Sequence, residues 1–169
     1  RGNLVLIGTE DGRLLARSAA DLLNWDVYAR DLFAFQDEHR PATRISDTGV
    51  VVVKRLSAER LLTIDAGNTC RLWNMSDVVH EPVSPVEMTL EQVQASDVEV
   101  RTVDPVATVT LSSAQVLSVS VSASQSLGAI VTADEIVTVF RAESGEVVAS
   151  LGAEDLDEAQ PVSVDFLEG

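Results

Sequence analysis

Apolar and polar positions alternate in short runs along most of this chain, and the runs are separated by turn residues. The clearest stretch runs from Leu127 to Leu151, with a partly alternating run just upstream. Val116 to Val121 reads Val-Leu-Ser-Val-Ser-Val, and Ala129 to Thr132 is an apolar run ending at Ala133-Asp134-Glu135. Ile136 to Arg141 then alternates, with Ile136, Thr138 and Phe140 on one side and Val137 and Val139 on the other. A period of two is the signature of a strand with one face buried. The pattern predicts strands over 116–122, 127–133, 136–141 and 146–151, the last pair joined at Ser144-Gly145. Connections this short join antiparallel neighbours, so the unit is a four-stranded meander.

The unit recurs upstream. Val50–Arg55, Arg60–Asp65 and Thr69–Met75 are predicted strands, the last two joined at Ala66-Gly67-Asn68. Leu4–Thr9 and Arg13–Ala16 flank Glu10-Asp11-Gly12, the strongest hairpin signal in the chain. Val162 to Phe166 has the pattern of the first strand of a further unit.

Two stretches break the rhythm. Residues 19–45 read either as a short helix capped by Ser18, with Asp21 three residues on, or as a loop and an outer strand over Asp31–Phe35, which is the preferred reading. Trp25 and Tyr28 in this stretch divide evenly between packing under a loop and touching a partner. Residues 76–105 are acidic and carry Pro82, Pro85 and Pro105. They read as an insertion with a helical turn over Pro85–Ala95, and as the segment best suited to ordering on a partner.

Composition sharpens this picture. Of the residues, 46% are hydrophobic, enough to bury a core, and valine dominates them. β-Branched side chains fit a pleated, half-buried surface, so composition also points to strands. The net charge of −15 repels phosphate backbones, which argues against direct contact with nucleic acid or an anionic membrane. Cys70 is the only cysteine, so no intrachain disulfide forms. A reducing compartment, cytoplasmic or nuclear, is the expectation. No run reaches the roughly 18 apolar residues of a membrane span.

The stretch Arg60-Leu-Leu-Thr-Ile-Asp-Ala-Gly-Asn-Thr-Cys-Arg-Leu-Trp73 resembles the middle two strands of a WD40 repeat. The resemblance places Thr63 at the family's Ser/Thr position, Gly67-Asn68 at its Asp-Gly turn, Trp73 at its Trp, and Asn74 where Asp is usual. By the same likeness Asp11-Gly12 matches the turn of an earlier repeat, with Arg17 where Trp would be. Asp134 holds the turn of a later one, with Phe140 replacing Trp. The likeness departs from the family in two ways. The step from Trp73 to Phe140 exceeds the family period of about 40–45 residues. The Gly-His pair whose His bonds the turn Asp is also missing, and Ser112-Ser113 and Ala153-Glu154 stand near its positions. Neither His39 nor His80 is well placed, though His39 reads as a displaced remnant.

The resemblance implies an all-β fold, a β-propeller of four-stranded antiparallel blades with about three in this chain. The whole chain, 1–169, is then a single partial propeller. A propeller has about 4–8 blades, so the rest of the ring is expected from further sequence of the same protein, or else from a partner chain. The implied role is a scaffold in a larger assembly that binds protein subunits through loops and faces. Within that ring Trp73 is expected in the packing between blades, and Cys70 as a small buried hydrophobe.

No Gly-x-Ser-x-Gly elbow is present, neither histidine has a ligand partner at helical or hairpin spacing, and no phosphate-cradling glycine loop occurs. Glu154-Asp155-Leu156-Asp157-Glu158 lacks the glycine-containing loop of a calcium site and reads as a solvated acidic loop. The expectation is therefore no enzyme, no catalytic residue, no cofactor and no metal. The competing classes are a quinoprotein-like or hydrolase-like propeller, and a β-sandwich.

Overall fold

The computed structural model describes residues 4–18, 42–79 and 100–167. The readings made for 19–41, including the helix or strand there, Trp25, Tyr28 and His39, lie outside them, as do His80 and the Pro85–Ala95 turn.

The strands follow the alternation closely. β1 (Leu4–Gly8) and β2 (Arg13–Ser18) form a hairpin, and β3 (Ala42–Arg44) pairs with β2. β4 (Val50–Arg55), β5 (Arg60–Asp65) and β6 (Cys70–Asn74) form a meander. The chain then makes a single helical turn, α1 (Met75–Val78). β7 (Val100–Thr102) and β8 (Ala107–Val109) come next. A second meander holds β9 (Val116–Val121), β10 (Leu127–Thr132), β11 (Val137–Arg141) and β12 (Val147–Leu151). A short 3-10 turn over Ala153–Leu156 follows.

These strands make three four-stranded sheets with orders β1-β2-β3-β7, β4-β5-β6-β8 and β9-β10-β11-β12. The second and third are antiparallel throughout, as the short turns require for every pair but β6 and β8, which a long connection joins. In the first, β7 runs parallel to β3. Parallel neighbours need a long connection, and the 55 residues between Arg44 and Val100 (100 − 44 − 1) supply it.

The two ends of the 76–105 stretch belong to the fold. Val78 is buried, its carbonyl accepts the Thr43 hydroxyl at 3.1 Å, and Val103 packs on the same core. Deleting the whole stretch would remove these supports, so a deletion meant to probe a contact role is better confined to 80–99.

The middle sheet is covered on both faces, and its sequence shows why. Leu61, Leu62, Thr63 and Ile64 are all buried, so β5 reads as a continuous run and not an alternating one. Leu61 and Trp73 pack with Leu14 of the first sheet and with Ile45, just past the end of β3. Leu62, Ile64, Cys70 and Leu72 pack with Ile130 and Phe140 of the third. Each fully buried leucine contributes roughly 1.5–3 kcal/mol.

Val162–Phe166 is not a strand here. Its alternation suits one, but a strand exists only beside a hydrogen-bonded neighbour. No strand among the described residues pairs with it.

Candidate functional site

The three β-hairpins that carry the repeat signature share one register. Val5 faces Arg17, Leu61 faces Trp73, and Gly128 faces Phe140. β1, β5 and β10 are therefore equivalent strands, and so are β2, β6 and β11.

In the middle hairpin, the Trp73 indole N–H donates to Thr63 Oγ1 at 2.8 Å, with both residues buried. Asp65 organises the turn. Its carboxylate accepts the Gly67 N–H at 3.0 Å, the Thr69 N–H at 2.9 Å, the Ser46 hydroxyl at 2.8 Å and Arg71 Nη1 at 2.6 Å. Burial raises the Asp65 carboxyl, but the bonds from Thr69, Arg71 and Ser46 outweigh it and hold it below the usual aspartate value. The sequence reading placed the turn at Gly67-Asn68. The structure gives the left-handed position there to Asn68 (φ 58°), while Gly67 supplies an N–H to Asp65. Asp65 was missed because it sits two positions ahead of the family's turn acid. Arg71, close on the facing strand, was the available signal.

In the first hairpin, Gly12 takes φ 80°, and a Cβ there would stand 2.0 Å from the Ser46 carbonyl oxygen. Its own carbonyl accepts the N–H groups of Ile45 and Ser46. Asp11 accepts the Thr9 hydroxyl, and Arg13 Nε lies 2.6 Å from it as a charge contact without a directed N–H bond. In the third hairpin, Asp134 accepts the Ser112 hydroxyl at 3.0 Å, and Glu135 takes the left-handed position (φ 68°). The Thr132 and Ser112 hydroxyls hold the Asp134 carboxyl below its ordinary value. Phe140 is buried over Gly128, where a Cβ would meet its Cζ at 2.2 Å. Ile130 stands at the position equivalent to Thr63, so the third hairpin has an apolar pair where the second has a hydrogen-bonded one.

Serine does the bracing. Ser46 precedes β4 and bonds Asp65, and Ser112 precedes β9 and bonds Asp134. Ser112 stands near a position where the resemblance expects the Gly-His pair; the sequence does not single out Ser46. Ala153-Glu154 falls in the 3-10 turn.

The turns cluster at one end of the sheets. Bonds join Gly12 to Ser46, Ser46 to Asp65, Asn68 to Ser113 and Ser112 to Asp134. Between the second and third sheets this end opens into a depression of about 460 Å³ lined by Val51, Val52, Ala66, Asn68, Gln115 and Val116. Glu10, Asp11, Asp47 and Asp134 are exposed on the turns that share this end. A smaller depression of about 180 Å³ is lined by Ser57, Glu59, Arg60, Gln125, Ala142 and Glu143. Among the described residues no three His, Cys, Asp or Glu side chains gather as a metal-binding group.

Cys70 is buried between the second and third sheets, and burial pushes its thiol up to about 12. At neutral pH it carries almost no thiolate. A thiol reagent is expected to leave the native chain unlabelled and to react stoichiometrically once the chain is unfolded in denaturant. Rapid native labelling would place Cys70 at the surface.

No protein-family model matches the sequence, and no curated protein matches it. Solved structures do share its fold. The β-propeller domain of Cps50 (Swd1) from Myceliophteria thermophila aligns with a TM-score of 0.57 at 15% identity, covering 96% of this chain and 40% of that one. The computationally designed protein Ika8 aligns at 0.56 and 11% identity, over 99% of this chain and 38% of that one. The WD40 domain of Toxoplasma gondii coronin aligns at 0.52 and 12% identity, over 88% and 30%. The fold is an all-β propeller-like fold, similar to the Cps50 propeller domain and the coronin WD40 domain, with three blade-like sheets among the described residues. The chain spans less than half the length of each of these structures.

Proposed function

We propose that this chain is a protein-binding platform, a non-enzymatic scaffold subunit of a larger assembly. Its turn-bearing end is the docking face, and the partner is a protein segment rich in Lys or Arg. The observation that carries this reading is the joining of the turns at one end. There, exposed Glu10, Asp11, Asp47 and Asp134 accompany a depression with valine walls. Charge on such a face steers and selects a cationic partner, and apolar walls hold the partner's uncharged side chains. The fold supports the reading by analogy, since propellers present loops on a rigid frame. The free, buried Cys70 suits an intracellular setting, cytoplasmic or nuclear.

The test is affinity capture with cross-linking, comparing the wild-type chain with a Glu10→Lys/Asp47→Lys variant. Captured partners are expected to cross-link to residues 46–48, 66–68 and 112–116, to be released by raised salt, and to be lost from the variant at an unchanged melting temperature. Cross-links confined to the opposite end, or capture indifferent to salt and to the charge reversal, would remove the turn face from the account.

A further inference from the structure

The second and third sheets carry the same irregularity at the same place. In β4, Val50 pairs with Asp65 and Val52 with Ile64, so Val51 is an extra residue in the ladder. In β9, Val116 pairs with Thr132 and Ser118 with Val131, so Leu117 is extra in the same way. Leu61 and Gly128 are equivalent in register, so Asp65 and Thr132, each four residues further on (65 − 61 and 132 − 128), are equivalent too. One backbone bond from the facing turn closes each bulge. The Ala66 N–H donates to the Gly49 carbonyl at 2.7 Å, and the Ala133 N–H to the Gln115 carbonyl at 2.8 Å. A β-bulge bends its strand and re-aims a side chain, and bulges gather at sheet edges and beside functional sites.

Here the re-aimed side chains are apolar and stand in water. Val51 is 62% exposed and Leu117 46%, the two most exposed large apolar side chains in the strands of the described chain. Val51 lines the larger depression from the second sheet, and Val116, next to Leu117, lines it from the third. Acids stand around it. Asp47 lies on the connection into β4, Asp134 lies on the turn that supplies Ala133, and both are exposed. The arginines of these turns are already engaged, Arg71 with Asp65 and Arg13 with Asp11.

We propose that Val51 and Leu117 form the apolar anchor point of the docking face. They hold one large aliphatic or aromatic side chain of a partner segment whose neighbouring residues are Lys or Arg. This rests on the turn-bearing end being the docking face, and it adds which residue of the segment is recognised. Charge alone accepts any basic stretch. A bulged apolar pair within an acidic rim selects a basic stretch that carries a large apolar residue. A wholly basic segment leaves the pair in water, and a wholly apolar one leaves the acids unmet.

The test is fluorescence anisotropy of the full chain with two labelled peptides, Gly-Lys-Lys-Leu-Lys-Lys-Gly and the same peptide with alanine in place of leucine. The leucine peptide is expected to bind about tenfold tighter than the alanine peptide. Val51→Ser/Leu117→Ser is expected to bring the leucine peptide down to the level of the alanine peptide, at an unchanged melting temperature and with the salt-sensitive binding of both retained. Glu10→Lys/Asp47→Lys is expected to weaken both peptides together. Equal binding of the two peptides by the wild-type chain, or a leucine preference that survives Val51→Ser/Leu117→Ser, would overturn the anchor and leave the acidic docking face standing. Binding of neither peptide, or binding unmoved by Glu10→Lys/Asp47→Lys, would overturn the docking face and the anchor with it.

Discussion

Replacing Trp73 with alanine is expected to cost about 3–5 kcal/mol of unfolding free energy. The indole is almost wholly buried where the first and second sheets meet, against Leu14, Ile45, Leu61 and Val78. Its removal opens a cavity at the joint between two sheets, and neither sheet can close it without losing other contacts. It also takes from the buried Thr63 hydroxyl the donor it accepts from. Trp73→Phe keeps most of the ring and loses the hydrogen bond, so it should cost far less, nearer the 1 kcal/mol of a single net bond plus a small void. Urea unfolding reads both values. A Trp73→Ala cost below about 1 kcal/mol would mean that the indole does not sit between the sheets.

The second large effect belongs to Asp65. Asp65→Ala is expected to cost about 3 kcal/mol, the lower part of the range for breaking a buried ion pair, because Arg71 keeps partial contact with water. The loss leaves the Gly67 and Thr69 N–H groups, the Ser46 hydroxyl and Arg71 without their shared acceptor.

The effect depends on pH. The folded carboxyl lies below its ordinary value of 3.8. A lowered folded pKa means that the contribution is fully present above the unfolded value and is lost as pH falls through the folded one. At neutral pH Asp65→Asn should therefore be less stable than wild type, with a shallower loss of stability below about pH 4, where the two curves converge. Parallel curves would show that Asp65 is not the buried, paired carboxylate described above.

How much of this was legible in the sequence depends on how local its cause was. β9 to β12 could be read to within a residue or so, because short turns force the pairing and alternation fixes the faces. Trp73 and Thr63 stood out by their places in the family resemblance, although only the structure shows the bond between them. Asp65 was hidden because the family pattern points to position 67, and the acid acts from two residues earlier. The serine braces were half visible. Ser112 was noticed by position, but Ser46 gives no sign in sequence that it reaches Asp65. β7 has three residues and owes its existence to β3, some 55 positions away, so no local pattern announces it. Val162–Phe166 shows the opposite case, a strand pattern that finds no partner within the described chain.

Three hairpins folded in one register, Val5–Arg17, Leu61–Trp73 and Gly128–Phe140, define the fold. The most direct test is to record cross-strand nuclear Overhauser contacts in the isotopically labelled full chain. Contacts are expected between Val5 and Arg17, Leu61 and Trp73, and Gly128 and Phe140, together with a slowly exchanging Trp73 indole proton close to the Thr63 side chain. A register shifted in any one hairpin, or an indole proton exchanging at the rate of free tryptophan, would contradict it.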